Sequence, residues 1–211
     1  MTLANGNSSD LPADRSRRIV EAAYALLQEE GLEGLTIRAV LQRTGLSRRA
    51  FYERFAGKDD LVLAVFAEIL RLAAEQYGEQ VRLLRQPLDQ LELIITRIAL
   101  GKRGEDQELV DSRHGAAMSR EHMRLAESRP DELQQALHPL LELIARVLAD
   151  GMACGVVRRA DPRRLAALVY NLVSTTMHTE LIAQASGVAD MAQRSQLAAD
   201  LWEFCRRAVI T

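Results

Sequence analysis

Basic side chains are concentrated between residues 34 and 58, although the net charge of the whole chain is −2. Guanidinium and ammonium groups there can bind phosphate oxygens, and guanidinium can also pair bidentately with guanine. A local excess of cations in an otherwise acidic chain is expected of a surface that meets a phosphate backbone. The cations of this stretch are Arg38, Arg43, Arg48, Arg49, Arg54 and Lys58, against the single carboxylate of Glu53.

The same stretch predicts two short helices joined by a tight turn. Thr36 and Ser47 are expected N-caps, because a hydroxyl oxygen can accept a hydrogen bond from an unpaired N–H of the first turn. Gly45 can adopt the left-handed conformation that ends a helix without steric cost. The second helix is expected to run through Phe55. This helix-turn-helix pattern places its second helix in the major groove of DNA. The alternative is an ordinary helical hairpin with a solvated basic face.

A longer pattern surrounds this turn. Its members are Arg15 to Arg18, Ile19, Ala22, Ala23, Leu26, Glu30, Gly31, Leu35, Thr36, Ile37, Gly45, Leu46, Ser47, Phe51, Tyr52, Phe55, Lys58 and Leu61. With these spacings, residues 15 to 65 resemble the DNA-binding domain of the TetR-type (tetracycline-repressor-like) bacterial transcriptional regulators. Leu41 and Thr44 depart from the pattern, since many members carry alanine there. The remainder resembles the family only in its length and helical character.

The resemblance implies roles for individual residues in DNA binding. It implies that the hydroxyl groups of Thr36 and Tyr52 contact phosphate, and that residues 47–49 begin the recognition helix. Lys58 resembles a lysine that binds phosphate from the start of the next helix, a position that also favours anions. Positions 49 and 54 hold arginine where many members carry glycine and histidine, so the operator sequence does not follow from the resemblance. The residues expected to contact DNA are Thr36, Arg38, Ser47, Arg48, Arg49, Tyr52, Arg54 and Lys58.

The composition favours an all-α protein, because alanine, leucine, arginine and glutamate are abundant while prolines and aromatic residues are few. About nine helices are expected, near residues 14–30, 37–44, 48–55, 57–77, 87–101, 105–127, 131–154, 162–184 and 190–209. Gly31 is expected to end the first helix, and Gly78 is a weak break after the fourth. The predicted domains are a disordered tail at 1–12, a helix-turn-helix domain at 13–60, a connecting helix at 61–80 and a regulatory ligand-binding and dimerisation domain at 81–211.

Several features predict a cytoplasmic protein without membrane contact. Residues 1–12 have neither the basic start nor the apolar core of a signal peptide. No run of the sequence approaches the roughly 18 apolar residues of a membrane span. Cys154 and Cys205 lack the spacing of a disulfide framework or a metal site, which favours a reducing compartment.

Two helices of the C-terminal half carry the candidate pocket for a small-molecule effector, which the resemblance implies. The more polar helix at 105–127 places two histidines and a methionine at spacings of four residues. A methionine-lined cavity with a few polar groups would suit a mostly apolar ligand. The alternative is that the methionines fill the core and the histidines are half-exposed. The candidate pocket residues are His114, Met118, His122, Tyr170, Ser174, Met177 and His178.

The last two helices are the candidate dimer interface. A helix-turn-helix protein that reads a palindrome needs two-fold symmetry, and the resemblance implies that these helices pair with their copies. The alternative is that their apolar stripe packs only within its own subunit. The candidate interface residues are Leu181, Leu197, Leu201, Trp202 and Phe204.

Other chemistry has little support in the sequence. His114 and His122 are eight residues apart, which is not the spacing that lets two imidazoles of one helix share a metal ion. No phosphate-binding glycine loop or nucleophile motif is present, so we expect no metal, no cofactor and no enzymatic activity. The predicted function is a ligand-responsive transcriptional regulator, a dimeric repressor on a palindromic operator of double-stranded DNA. The alternative is a helical ligand-binding or interaction module without specific DNA recognition.

Overall fold

The computed structural model describes residues 12–100, 112–183 and 191–211. These residues form nine α-helices, and the predicted all-α fold is confirmed. Residues 1–11 of the tail expected at 1–12 and the start of the helix expected at 105 lie outside the described ranges, and Pro12 begins the first helix. The helices are α1 (Pro12–Gly34), α2 (Ile37–Thr44), α3 (Arg48–Tyr52), α4 (Lys58–Val81), α5 (Pro87–Leu100), α6 (Ser112–Ser128), α7 (Pro130–Ala153), α8 (Pro162–Ala183) and α9 (Met191–Val209).

Two compact units divide the chain, Met1–Glu68 and Ile69–Thr211. The division falls within α4, which covers the residues where the sequence predicts a connecting helix. Each unit buries its own set of apolar side chains. The finer domain limits stated from the sequence stay a prediction.

In the first unit, α1 and α2 pack against each other and are also joined by polar bonds. The Arg18 Nη2 atom donates a hydrogen bond of 3.1 Å to the carbonyl oxygen of Thr44. The guanidinium of Arg43 donates two hydrogen bonds to the Glu29 carboxylate, of 2.9 and 2.6 Å. These bonds hold α2 on the longer α1. The largest fully buried side chains of this unit are Ile19, Leu35, Val40, Phe51, Leu61 and Val65.

Two helix ends in the first unit differ from the sequence expectation. Gly31 has a left-handed φ of 71°, yet helical structure resumes after this kink and continues to Gly34. α3 ends at Tyr52 rather than Phe55, because the N–H groups of Arg54 and Phe55 both donate to the carbonyl of Phe51. The bond from Arg54 closes a tighter turn than an α-helix allows.

The helix α4 also differs from expectation, since it continues through Gly78 to Val81 instead of breaking there. Tyr77 and Val81, on either side of the glycine, are buried. The hydroxyl of Tyr77 donates a 3.3 Å hydrogen bond to the carbonyl oxygen of Arg97 on α5. Because a glycine inside a helix costs only about 1 kcal/mol relative to alanine, this packing is enough to keep α4 continuous.

In the second unit, α7 packs on α5 and α8, α8 also packs on α6, and α5 packs on α9. The predicted start of α8 is confirmed, with the Asp161 Oδ1 atom accepting a 3.0 Å hydrogen bond from the N–H of Arg163. Pro162 occupies the first helical position, where its missing N–H costs nothing. None of the helices in the described part is both long and apolar enough to span a membrane.

Replacing Gly78 by alanine is expected to raise the free energy of unfolding by about 0.5–1 kcal/mol, because alanine is the better helix former. The nearest neighbour of the new Cβ would be the Leu143 Cδ1 atom, at an ordinary contact distance of 4.0 Å. Gly151→Ala in α7 is the matched control, since its Cβ would lie 2.5 Å from the Val157 Cγ2 atom and should destabilise the fold. Urea denaturation followed by circular dichroism measures both. Equal destabilisation by the two substitutions would contradict a continuous α4.

Candidate nucleic-acid interface and a cavity among three helices

The turn between α2 and α3 has the predicted caps. The Thr36 Oγ1 atom accepts a 3.1 Å hydrogen bond from the N–H of Ala39, and the Ser47 Oγ atom accepts one of 3.2 Å from Ala50. Gly45 has a φ of 68°, and its N–H donates to the carbonyl oxygen of Leu41. The two N-caps and the left-handed glycine are therefore confirmed. Each cap hydroxyl acts as acceptor here, which leaves its O–H proton available to an external acceptor such as a phosphate oxygen.

Thr44 has a role in this turn that the sequence reasoning missed. Its hydroxyl donates a 2.8 Å hydrogen bond to the carbonyl oxygen of Val40 and accepts a bond of 3.4 Å from the N–H of Leu46. It thereby satisfies a backbone group on each side of Gly45. The departure from alanine at this position adds a polar bridge to the turn.

All eight residues expected to contact DNA have exposed side chains. They lie within one segment of the first unit, between the N-cap of α2 and Lys58, the first residue of α4. Tyr52 is 54% exposed, whereas the preceding Phe51 is fully buried and meets the Tyr52 ring edge-on at a centroid distance of 5.3 Å. Phe51 thus fixes the short α3 to the core while the phenol of Tyr52 stays accessible.

Ion pairs separate the cations of this segment into two groups. Arg43 is bound to Glu29, and this pairing lowers the pKa of the carboxylate and raises the pKa of the guanidinium. Arg49 has a single 3.1 Å bond to Glu53 in an exposed setting, and such a bond is worth little in water. Among the cations of this segment, all of which the structure describes, Arg38, Arg48, Arg54 and Lys58 form no ion pair. The charge available to an anion is therefore concentrated on these four residues and Arg49.

In the second unit, a cavity of about 250 Å³ lies among α6, α7 and α8. Four of the predicted pocket residues line it: His122, Tyr170, Ser174 and His178. α7 contributes Leu133, Gln134 and Leu137 to the lining, a contribution that the sequence reasoning missed. Because apolar residues of α7 are spaced as an ordinary core stripe, no sequence signal separated those that line a cavity from those that fill the core.

Two of the predicted pocket residues do not line this cavity, and a third is not described. Met177 is buried in the core, and Met118 is half-buried away from the lining. The side chain of His114 lies outside the described residues. On α6 the cavity is lined at positions 122, 123 and 126, a helical face rotated from the one predicted at 114, 118 and 122. Met123 is therefore the methionine that reaches the cavity, and the assignment of an effector site stays a prediction.

Two imidazoles of the cavity lining lie against each other. The ring centroids of His122 and His178 are 4.5 Å apart, with a tilt of 34° between the planes. The Nδ1 atom of His178 is 3.0 Å from the Oγ atom of Ser119, a residue of α6 that is only 2% exposed. The hydrogen bond to a buried serine fixes the orientation of the His178 ring.

Burial keeps the titratable groups of this cavity uncharged at neutral pH. Burial, together with the neighbouring His122 ring, lowers the pKa of His178 to about 4. Burial also lowers the pKa of His122. Tyr170 is buried as well, which raises the pKa of its phenol to about 12, although a hydrogen bond with Ser174 acts in the opposite direction. The cavity thus presents neutral hydrogen-bonding groups rather than charges.

The candidate dimer residues differ in how much of each side chain is exposed in the single chain. Phe204 on α9 is 62% exposed, while Leu181, Leu197 and Trp202 are half-buried in the single chain. Leu201 is only 6% exposed. Its side chain belongs to the core of its own subunit, and we therefore remove it from the candidate interface. In the described part of the chain, no three His, Cys, Asp or Glu side chains are grouped so that they could hold a metal ion.

Comparisons with known proteins match the helix-turn-helix segment and the whole fold. Residues 19–65 match the family described as bacterial regulatory proteins, tetR family. The transcriptional repressor KstR of Rhodococcus jostii is 26% identical over 198 residues, covering 92% of this chain and 85% of the relative. The transcriptional repressor Rv1474c of Mycobacterium tuberculosis is 29% identical over 185 residues, covering 81% and 96%. The structure of the regulator FadR from Bacillus subtilis, solved with stearoyl-CoA, has a TM-score of 0.58 at 15% identity and covers 90% and 97%.

The low pKa of His178 predicts a loss of stability in mild acid. Its folded pKa lies below the ordinary value of 6.5, so the unfolded chain binds the proton first as the pH falls from 6.5 towards 4. At pH 5 this linkage should lower the free energy of unfolding by about 1–2 kcal/mol relative to pH 7. His178→Asn retains a hydrogen-bonding group near Ser119 and should remove this part of the pH dependence.

The measurement is urea denaturation at pH 7 and pH 5, with the exposed His138→Asn as the control. The control should keep the pH dependence of the original chain. If His178→Asn lost as much stability on acidification as the original chain does, the proposed neutral state of His178 would be wrong.

Proposed function

The chain belongs to the tetR family of bacterial regulatory proteins, and we propose that it represses transcription as a dimer on a palindromic operator. It is a DNA-binding transcriptional regulator, as its relatives are. The observation that carries the proposal is the short, doubly capped α3, whose arginines and tyrosine are exposed while its phenylalanine is fixed in the core. A small effector, bound in the cavity among α6, α7 and α8, is proposed to release the DNA.

We propose that, within the segment from Thr36 to Lys58, some residues bind the phosphate backbone and others contact the bases. The hydroxyls of Thr36 and Tyr52 and the ammonium of Lys58 bind phosphate and set the register of the protein on the duplex. Arg48 and Arg49 at the start of α3 reach the base edges of the major groove, where arginine pairs bidentately with guanine. Ser47 supports them, since its cap fixes the first turn of α3 and its proton remains available to phosphate.

Release by an effector requires different affinity for two conformations. A ligand of the cavity lowers DNA affinity only if it binds the DNA-free conformation more tightly than the DNA-bound one. By linkage, operator DNA must then weaken effector binding by the same factor. The cavity lies in the second unit and the DNA-contacting segment in the first, and α4 is the helix common to both. We therefore propose that α4 is part of the route that couples the two sites.

Dimerisation is proposed through α8 and α9, with Phe204 as the central apolar contact. This phenylalanine is 62% exposed in the single chain. Covering its ring with a second subunit removes apolar area from water and stabilises the dimer. The half-buried Leu181, Leu197 and Trp202 are the accompanying residues proposed for this interface. Two-fold pairing would present two copies of α3 to the two half-sites of a palindrome.

Arg48→Ala should weaken binding to the operator by 1–3 kcal/mol, about 5-fold to 150-fold, if Arg48 pairs with a base. Arg43→Ala is the matched control, because its guanidinium is already bound to Glu29. The control should stay within about 2-fold of the original affinity. Fluorescence anisotropy on an operator obtained by selection from random duplexes measures both, at two salt concentrations. Equal losses from the two substitutions would contradict the proposed role of Arg48.

Phe204→Glu should convert the dimer to a monomer at micromolar concentration, because it places a charge in the proposed interface. Leu83→Glu is the control, since Leu83 is 84% exposed on the segment between α4 and α5 and has no proposed role. Sedimentation velocity measures the oligomeric state of each variant. A dimer that survives Phe204→Glu would exclude Phe204 from the interface, and a monomeric original chain would overturn dimerisation itself.

A further inference from the structure

We propose that the effector is an uncharged, amphipathic molecule whose hydroxyl or amide group hydrogen bonds to the imidazole of His178, and that carboxylates and phosphate esters are excluded. This inference rests on the proposed function of the cavity as an effector site. At the packing density of protein interiors, a cavity of about 250 Å³ holds roughly ten to fifteen non-hydrogen atoms. The class is that of small neutral amides, alcohols and phenols with an apolar body.

Among the residues that the structure describes, the lining of the cavity supplies no charge that could balance an anionic ligand. The eleven described side chains that line it include no arginine, lysine, aspartate or glutamate. Of the arginines close in sequence to the lining residues of α6, Arg124 and Arg129 are bound to Glu121 and Glu132, and Arg120 is exposed and does not line the cavity. A carboxylate or phosphate that leaves water without a cationic partner bears a large desolvation cost. For a neutral ligand, only the desolvation of its polar groups costs free energy, and hydrogen bonds in the cavity can offset that cost.

The two histidines do not supply the missing cation at neutral pH. Both rings are largely buried and lie face to face, so a proton on one ring would be poorly solvated and close to the other ring. The neutral ring of His178 therefore offers one N–H donor and one nitrogen acceptor. Nδ1 is engaged with Ser119, which leaves Nε2 for a ligand. In either tautomer Nε2 has the role opposite to that of Nδ1, so a hydroxyl or amide, which both donates and accepts, suits both states.

The distribution of polar and apolar residues in the lining is the reason why we propose an amphipathic ligand. α8 contributes only polar side chains to the cavity, from Tyr170 to His178, at helical spacing. α7 contributes Leu133 and Leu137 with one exposed glutamine, Gln134. α6 adds Met123 and Ala126, and its His122 lies against His178 of α8. An apolar body packed against α6 and α7, with its polar group towards α8, satisfies both sets. The flexible thioether of Met123 can adapt to the shape of that body.

The test uses probes of nearly the same shape, the 4-alkylbenzamides with one to four alkyl carbons and the corresponding 4-alkylbenzoates, which differ in charge and in the N–H donors that only the amide has. Their dissociation constants for the whole 211-residue chain are measured by ligand-observed NMR at pH 7.5 without DNA. At least one benzamide should bind at least 10-fold more tightly than its benzoate. His178→Asn should weaken that benzamide at least 5-fold, while His138→Asn, outside the cavity, should not change it.

A second variant tests the role of charge directly. Gln134→Arg adds a guanidinium at an exposed position of the lining and should shift the preference towards the benzoate by at least 10-fold. Because Gln134 is exposed, this variant should fold even if His178→Asn does not. Benzoates that bind the original chain as tightly as benzamides would overturn the inference. Binding of neither series, or a preference that Gln134→Arg leaves unchanged, would overturn it as well.

A separate DNA measurement distinguishes this inference from the proposed function. Anisotropy on operator DNA is recorded for the same protein with and without the best benzamide. If DNA binds but the benzamide preference is absent, the ligand class is wrong and the DNA-binding function stands. If the preference is present but the chain reads no DNA, the cavity chemistry stands and the proposed repressor function fails.

Discussion

The turn at Gly45 is the constraint on which the DNA-binding half depends. α3 has only five residues, far fewer than an isolated helix needs to be stable in water. It exists because the Ser47 cap satisfies its first turn, because Phe51 is buried, and because Gly45 takes a left-handed conformation at no steric cost. Thr44 adds a hydroxyl bridge across the same turn. The exposed arginines are therefore held by a small group of caps and one aromatic anchor.

Charge is distributed between the two units in opposite ways. In the first unit, Arg43 is neutralised by Glu29 while other cations of the same segment stay free of carboxylates. In the second unit, the described lining of the cavity has no formal charge, and burial keeps its histidines neutral. A cationic surface in one unit and an uncharged cavity in the other fit the proposal that the protein binds DNA and an uncharged small molecule. Because the folded chain keeps His178 neutral by lowering its pKa, the free energy of unfolding should fall in mild acid.

The sequence predicted the helices, the caps at Thr36 and Ser47, and the left-handed Gly45, because each is a local effect of residue type. The predictions from sequence were wrong where tertiary contacts determine how far a helix extends. α4 continues through Gly78 because Tyr77 and Val81 are buried on either side, and α3 ends early because its last turn tightens. Around the cavity, His122, Tyr170, Ser174 and His178 were predicted together, yet Met118 and Met177 were not distinguishable from Met123. Which face of α6 meets α8 depends on packing that periodicity alone does not encode.

Selection of bound duplexes from a random-sequence library, followed by sequencing, tests the central claim most directly. It requires no knowledge of the operator or the effector. If the chain is a dimeric repressor that reads DNA through α3, the enriched sequences should share two inverted half-sites at a fixed spacing. Enrichment should disappear as salt is raised, because phosphate contacts release counterions. A library that stays random after repeated rounds would contradict the account and leave a helical ligand-binding module that does not read DNA.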